Sequence, residues 1–288
     1  MTNNPYDQAN AGKANFEWTY NQLDPRSYFQ ALGALDYDIP ARAAPIFLKT
    51  FSAYAAARRR GALTVLDLGC SYGINAAVLK YGCTMEELRE HYRRFDGDNA
   101  ASHQVLMADQ TKFSDGRPKR DIAIVGIDRA QFAAAYGFWA GLLDDAIPEN
   151  LEVGGPSPRA ADTIARCDLV ISTGVVGYVT ERTFWQIAAC QPPDELPWIA
   201  SFVLRMFDYA PVAEVLGHFG YLTEKLERRY FCQRRFADEA EQHHVERLLA
   251  RRHLSTAGLE SNGHYLAEFF LSRPAEEAKA RPLAALLL

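Results

Sequence analysis

The sequence predicts an α/β protein: a seven-stranded, mostly parallel sheet with helices on both faces and an N-terminal helical cap. Three observations predict it. Short apolar runs at 64–68, 121–127, 168–172 and 198–205 alternate with amphipathic stretches, the rhythm of parallel strands joined by crossover helices. The first run ends in a turn carrying Gly69 and Gly73 and leads into a helix, the place where such sheets hold a ligand. A hydrophobic fraction of 48% over 288 residues is enough for one large core with a cap.

The elements follow in order. Residues 1–15 are polar and are expected to be loosely attached. Apolar residues then recur three and four apart, predicting helices over 27–35 and 39–59; residues 1–60 are assigned to the cap. The run 64–68, Thr-Val-Leu-Asp-Leu, reads as a strand buried on both faces. A helix over 75–80 and a charged amphipathic helix over 85–95 come next. Residues 96–120 are polar and rich in turn formers, which predicts a loop, and 81–120 together read as an insertion. The second strand, 121–127, ends at Asp128 and is followed by a helix over 131–144. A short third strand is expected at 150–153, a helix at 158–166 and the fourth strand at 168–172. A helix over 183–190, a fifth strand over 198–205 and a helix over 211–219 complete the alternation. Two more strands, 222–236 and 265–272, flank a charged helix over 239–252. The sheet domain is placed at 61–275 and a tail at 276–288. The whole reads as Rossmann-like, with its ligand site outside the C-terminal ends of the strands.

Composition narrows the function. The formal net charge is −5, and the basic runs are short, against a nucleic-acid partner, since phosphate binding relies on clustered Lys and Arg. Five cysteines lie scattered with no Cys-x-x-Cys pair, which fits neither a disulfide framework nor a zinc site and points to a reducing, cytoplasmic compartment. No secretory signal and no membrane span is expected, because no apolar stretch approaches the roughly 20 residues a span needs. No metal site is expected, for no His, Cys and carboxylate set has ligand spacing.

The chemistry concentrates at Val65-Leu-Asp-Leu-Gly-Cys-Ser-Tyr-Gly-Ile-Asn75. Its glycines permit positive φ and close approach of a ligand to the backbone. Their spacing is Gly-x-x-x-Gly, without the Gly-x-Gly-x-x-Gly fingerprint that a pyrophosphate requires. Asp67 within the strand suits a cationic amine or sulfonium and would repel a diphosphate.

This segment resembles the first motif of the class I S-adenosylmethionine-dependent methyltransferases, hydrophobic-x-Asp-x-Gly-x-Gly-x-Gly. It departs from that pattern where Ser71 replaces the middle glycine. The resemblance runs by strand order over about 64–205. It implies S-adenosylmethionine as cofactor and S-adenosylhomocysteine as product, with Asp67, Gly69, Cys70, Ser71 and Gly73 around the methionine end. Asp128, at the tip of the second strand, then holds the ribose hydroxyls, although a cap for the following helix is the alternative. The run from Asp168 to Tyr178 resembles the fourth motif, with Ser172, Thr173 and Gly174 beside the transferable methyl; Asp168 belongs at the far end of its strand. Glu152 is the adenine candidate. Asp144 and Asp145 read as a solvated helix end, and His243 and His244 as solvent-facing. Tyr28, Tyr37, Asp38, Tyr72, Tyr178 and His264 are candidates for the acceptor side, with packing roles as the alternative.

Methyl transfer from a sulfonium needs positioning and exclusion of water more than acid–base residues, so no catalytic residue is assigned. The expected enzyme is a methyltransferase acting on an O, N or S nucleophile of a small molecule; specialised metabolism enters by family analogy alone. A homodimer is compatible with the apolar late helix and tail. The alternatives are a non-catalytic S-adenosylmethionine-binding module, a nicotinamide-dependent oxidoreductase on the same type of sheet, and transfer of an aminopropyl or aminocarboxypropyl group.

Overall fold

The computed structural model describes residues 4–96, 100–114 and 118–287. The N-terminal part carries α1 (Asp7–Asn10), α2 (Arg26–Gly33) and α3 (Ile39–Arg58). The sheet begins with β1 (Leu63–Leu68), followed by α4 (Ile74–Tyr81), α5 (Met85–Arg93) and α6 (Ser102–Ser114). Then come β2 (Ile122–Ile127), α7 (Gln131–Trp139), β3 (Asp145–Ile147), α8 (Pro158–Ile164), β4 (Leu169–Thr173) and α9 (Glu181–Ala189). The chain ends with β5 (Trp198–Leu204), α10 (Ala210–Gly217), β6 (Tyr221–Lys225), β7 (Phe231–Arg235), α11 (Glu239–Arg251), β8 (His264–Pro274), α12 (Ala275–Ala280) and α13 (Leu283–Leu287).

The sheet order is β3-β2-β1-β4-β5-β8-β6, with β7 also on β8. Strands β1 to β5 are parallel, and β8 runs antiparallel to β5. The chain steps outward from β1 to β3, then returns to β4 on the other side of β1. The switch point therefore falls between β1 and β4, where open α/β sheets bind ligands. Alternate strand residues supply two cores. Val65, Ile124, Ala200 and Phe202 face the layer built with α2 to α7, while Leu66, Val125, Ile199 and Val203 face the layer built with α8 to α11.

Five expectations need correction. The predicted strand 222–236 is broken: β6 pairs with the end of β8 and β7 with its start. Ala267 pairs with Leu204 of β5 on one side and Phe231 of β7 on the other, so β6 and β7 lie on the same outer edge. They form one edge row interrupted at 226–230, which makes eight strands in seven rows. The third strand is 145–147 and not 150–153, because α7 stops at Trp139. Asp144 is consequently no helix end; it accepts from the Ile124 amide at 2.7 Å and pairs with buried Lys80 at 2.8 Å.

Within the expected loop 96–120 stands α6, whose buried stripe is Val105, Asp109 and Phe113. A carboxylate in the middle of that stripe hides its periodicity from a hydrophobic reading. Asp109 is tolerated there because Tyr92 and Tyr136 each donate to it at 2.7 Å and His91 contacts it at 2.5 Å. The N-terminal segment, expected to be loose, is tied down: Asn10 donates to the Gly177 carbonyl at 2.8 Å, and the Ala14 amide to Glu241 at 2.7 Å. No helix among the described residues is long and apolar enough to cross a membrane.

Candidate functional site

The turn after β1 is built from left-handed residues. Gly69 has φ 78°, Ser71 φ 48° and Gly73 φ 80°. A Cβ on Gly69 would stand 2.7 Å from Val175 Cγ2, so the turn needs glycine there for both conformation and space. Ser71 adopts a conformation that costs a side-chain-bearing residue about 1–2 kcal/mol, and its amide is held in place by Asp128 Oδ2 at 2.9 Å. The Gly69 amide is bonded to the Ile127 carbonyl at 2.8 Å, which fixes the turn against the end of β2.

Asp67 is fully buried, with Oδ2 unpartnered. Desolvation pushes its carboxyl up to about 7, against the Asn75 hydrogen bond that lowers it. Asn75 Nδ2 donates to Asp67 Oδ1 at 2.9 Å and to Thr173 Oγ1 at 3.3 Å, which leaves Asn75 Oδ1 buried without a partner. Asp67 thus stands one residue behind the site and orients Asn75. Asp128 accepts from the amides of Ser71 and Ala130, both at 2.9 Å. It binds the Ala130 amide just ahead of α7, without capping a first-turn amide of that helix, and it lines the cavity. Two backbone bonds leave acceptor sites on its oxygens. Burial raises its carboxyl above the ordinary range, although the backbone hydrogen bonds oppose the shift.

These groups border a cavity of about 1260 Å³ at the C-terminal ends of β1, β2 and β4. Gly69, Cys70, Ser71, Asp128, Thr173 and Gly174 line it, as do Tyr37 and Tyr178. Buried Tyr37 has its hydroxyl pushed up to about 12 by burial. Tyr178 accepts from Lys13 Nζ at 3.1 Å. Asp67 and Gly73 support the turn from behind and do not line the cavity.

Other predicted residues lie elsewhere. Tyr72 is fully buried and pins the N-terminal segment: its hydroxyl donates to the Thr19 carbonyl and accepts from the Gln22 amide, each at 2.9 Å. Ser172 points into the core, where it donates to Ser201 at 3.0 Å. His264 sits at the start of β8, against the Asn262 carbonyl at 2.9 Å. Asp38 binds Arg42 at 2.8 Å beside the start of α3. Glu152 lines the cavity, but Thr180 and Thr183 already occupy it: both hydroxyls and both amides donate to its carboxylate. That removes it as a ready acceptor for adenine. His244 is half-buried, with its ring against the Ala9 carbonyl at 2.9 Å. Asp168 binds the Thr64 amide at 2.8 Å, at the far end of the sheet as expected.

Sequence reasoning missed Asn75, Tyr20, Gln233, Arg234 and Tyr265, all on the cavity wall. Asn75 was legible, as the first-turn helix residue after the glycine turn. The others come from the N-terminal segment and the far edge of the sheet, which no local pattern joins to it. The cavity's Arg129 and Arg234 are paired with Glu17 and Glu241, each at 2.7 Å. Among the described residues no cluster of three or more His, Cys, Asp or Glu is arranged to hold a metal.

Fold and site together define a doubly wound α/β protein with a large polar and aromatic ligand cavity at its switch point. No protein-family model and no curated protein matches the chain. Solved structures resemble it weakly. The magnesium protoporphyrin IX methyltransferase ChlM from Synechocystis, with bound S-adenosylmethionine, is 10% identical over 93% of this chain and 90% of its own, with a TM-score of 0.38. A TehB-like S-adenosylmethionine-dependent methyltransferase from Corynebacterium glutamicum is 14% identical over 76% and 85%, with a TM-score of 0.37. The [4+2]-cyclase SpnF is 13% identical over 74% and 75%, also at 0.37. A likeness of this degree assigns neither reaction nor substrate.

Proposed function

We propose that the chain is an S-adenosylmethionine-dependent methyltransferase acting on a small-molecule acceptor. The observation that carries this reading is the juxtaposition of the left-handed 69–73 turn, Asn75 Oδ1 and Asp128 on one cavity wall. The residues fit the cofactor. Asn75 Oδ1 and Ser71 Oγ are unpartnered polar atoms at the turn, suited to an ammonium and a carboxylate. The carboxylate of Asp128 faces the cavity at the tip of β2 and suits ribose hydroxyls. The turn lacks the Gly-x-Gly-x-x-Gly spacing that cradles a pyrophosphate, which weighs against a nicotinamide dinucleotide.

When bound, the cofactor supplies a methyl group already activated by the neighbouring sulfonium charge. The chain has to orient and enclose. Gly69 and Gly174 allow backbone to approach the reacting centre closely, and Asp67 holds Asn75 in one orientation. The N-terminal segment reaches the cavity wall through Asn10, Lys13 and Glu17, a position from which it would limit water at an occupied site. No residue is assigned as a general base; one is needed only where the nucleophile is protonated at working pH.

Calorimetry with S-adenosylmethionine, S-adenosylhomocysteine and NAD tests this reading. Micromolar binding of the first two is expected, weakened about tenfold or more by Asp128→Ala through loss of charge-assisted hydrogen bonds. Binding of NAD alone would overturn it in favour of an oxidoreductase.

A further inference from the structure

Gln233 lies on a β-bulge. Cys232 pairs with Leu266 and Arg234 with Tyr265, so no residue of β8 opposes Gln233. Strand residues ordinarily alternate between faces, and an extra residue resets that alternation and re-aims a side chain. Both Gln233 and Arg234 consequently line the cavity. The Gln233 carbonyl accepts from the Asp38 amide at 2.9 Å, which locks the bulge against the start of α3.

The amide group of Gln233 lies over Gly174 at the end of β4. A Cβ built on Gly174 would stand 2.9 Å from Gln233 Oε1 and 3.1 Å from Nε2. Oε1 is buried without a hydrogen-bond partner in the protein, so a donor from ligand or water has to satisfy it. The walls around it are aromatic. The Tyr28 ring meets Tyr20 at 5.6 Å and Tyr37 at 6.0 Å, both edge to face. The Arg234 guanidinium is clamped by Glu241 at 2.9 and 2.7 Å and lies over the Phe16 and Tyr265 rings, so it forms wall and is not free to neutralise an acid. The cavity volume of about 1260 Å³ exceeds the roughly 300–1,000 Å³ of a single-ligand site, which leaves space for a second molecule.

We infer that Gln233 is the specificity-determining anchor of an acceptor subsite, which takes a flat aromatic molecule presenting a hydroxyl or N–H donor to Oε1 beside Gly174. The inference rests on the methyltransferase reading. Aromatic walls favour a planar apolar body, and an unpartnered carbonyl oxygen selects for a donor.

The test uses the full chain saturated with S-adenosylhomocysteine and three probes, para-cresol, para-toluidine and toluene, titrated by saturation-transfer NMR. Cresol and toluidine are expected to bind at least about tenfold more tightly than toluene, and Gln233→Leu to lose that preference. S-adenosylhomocysteine affinity is expected to stay within about threefold in the variant, since the Gln233 amide serves the acceptor subsite. Gln233→Met, which keeps length and removes the amide, replaces the leucine variant if that fails to fold. Equal binding of cresol and toluene, no probe binding to the loaded wild type, or an unchanged preference in the variants overturns the inference. If S-adenosylhomocysteine itself does not bind, the methyltransferase reading falls first, a separate and distinguishable result.

Discussion

Asp67 concentrates the electrostatics of the site in one residue. Its folded-state carboxyl sits at about 7, raised by burial from 3.8. The folded protein therefore holds a proton there that the unfolded chain has released. The stability this contributes is fully present below about pH 4 and is lost as pH rises towards 7. The magnitude is a few kcal/mol at most, at about 1.4 kcal/mol per unit. Asp67→Asn keeps an acceptor for Asn75 and removes the charge, so its advantage in urea midpoint over wild type is expected to grow from pH 5 to pH 8. A difference independent of pH would sink this account. That Gly69 and Asp128 lie at the C-terminal ends of β1 and β2, where they border the cavity, was legible in the sequence, because strand, turn and strand tip are local patterns. That Asp67 acts through Asn75 was not, since the bond joins a strand residue to a helix residue across the turn.

The edge formed by β6 and β7 joins the site to the N-terminal segment. Glu241 on α11 accepts from Arg234 of β7 and from the amides of Ala14 and Ala237. Burial raises its carboxyl, but the hydrogen bonds and charge of Arg234 outweigh this and hold it below the ordinary range. The pairing contributes stability above that range and loses it as pH falls through the depressed value. Glu241→Gln leaves Arg234 charged and uncompensated at 4% exposure, with an expected cost of about 3–5 kcal/mol. Urea denaturation at pH 7 measures it; a loss under about 1 kcal/mol would mean that the pair is solvated. At this scale the sequence was legible where elements carry an apolar run, as in β1, β2, β4 and β5. It misled where a polar group serves the core, as Asp109 does in α6, and where a bulge breaks a strand, as in the edge row 222–236.

Across the whole molecule, the N-terminal segment forms one wall of a cavity whose other walls come from β1, β2, β4 and β7. Lys13 bridges the two sides through Tyr178, with its ammonium 4.5 Å from the ring centroid. Ligand bound beneath the segment is expected to slow tryptic cleavage after Lys13 by about tenfold, since cleavage follows local opening and binding closes it by mass action. The rate with and without saturating S-adenosylhomocysteine measures this. An unchanged rate would show that the segment does not respond to an occupied site.

The sequence by itself determined the α/β class, the glycine turn and the acid at the tip of β2. Each of these follows from residue type over a few neighbouring positions. Only the tertiary structure decided that Tyr72, Ser172 and His264 stand outside the cavity and that Glu152 is already occupied. It alone brought Asn10, Lys13, Tyr20, Gln233 and Arg234 to the cavity wall. The physical reason is that strand pairing and the bulge register set which way each side chain points, and those are properties of contacts between segments far apart in the chain.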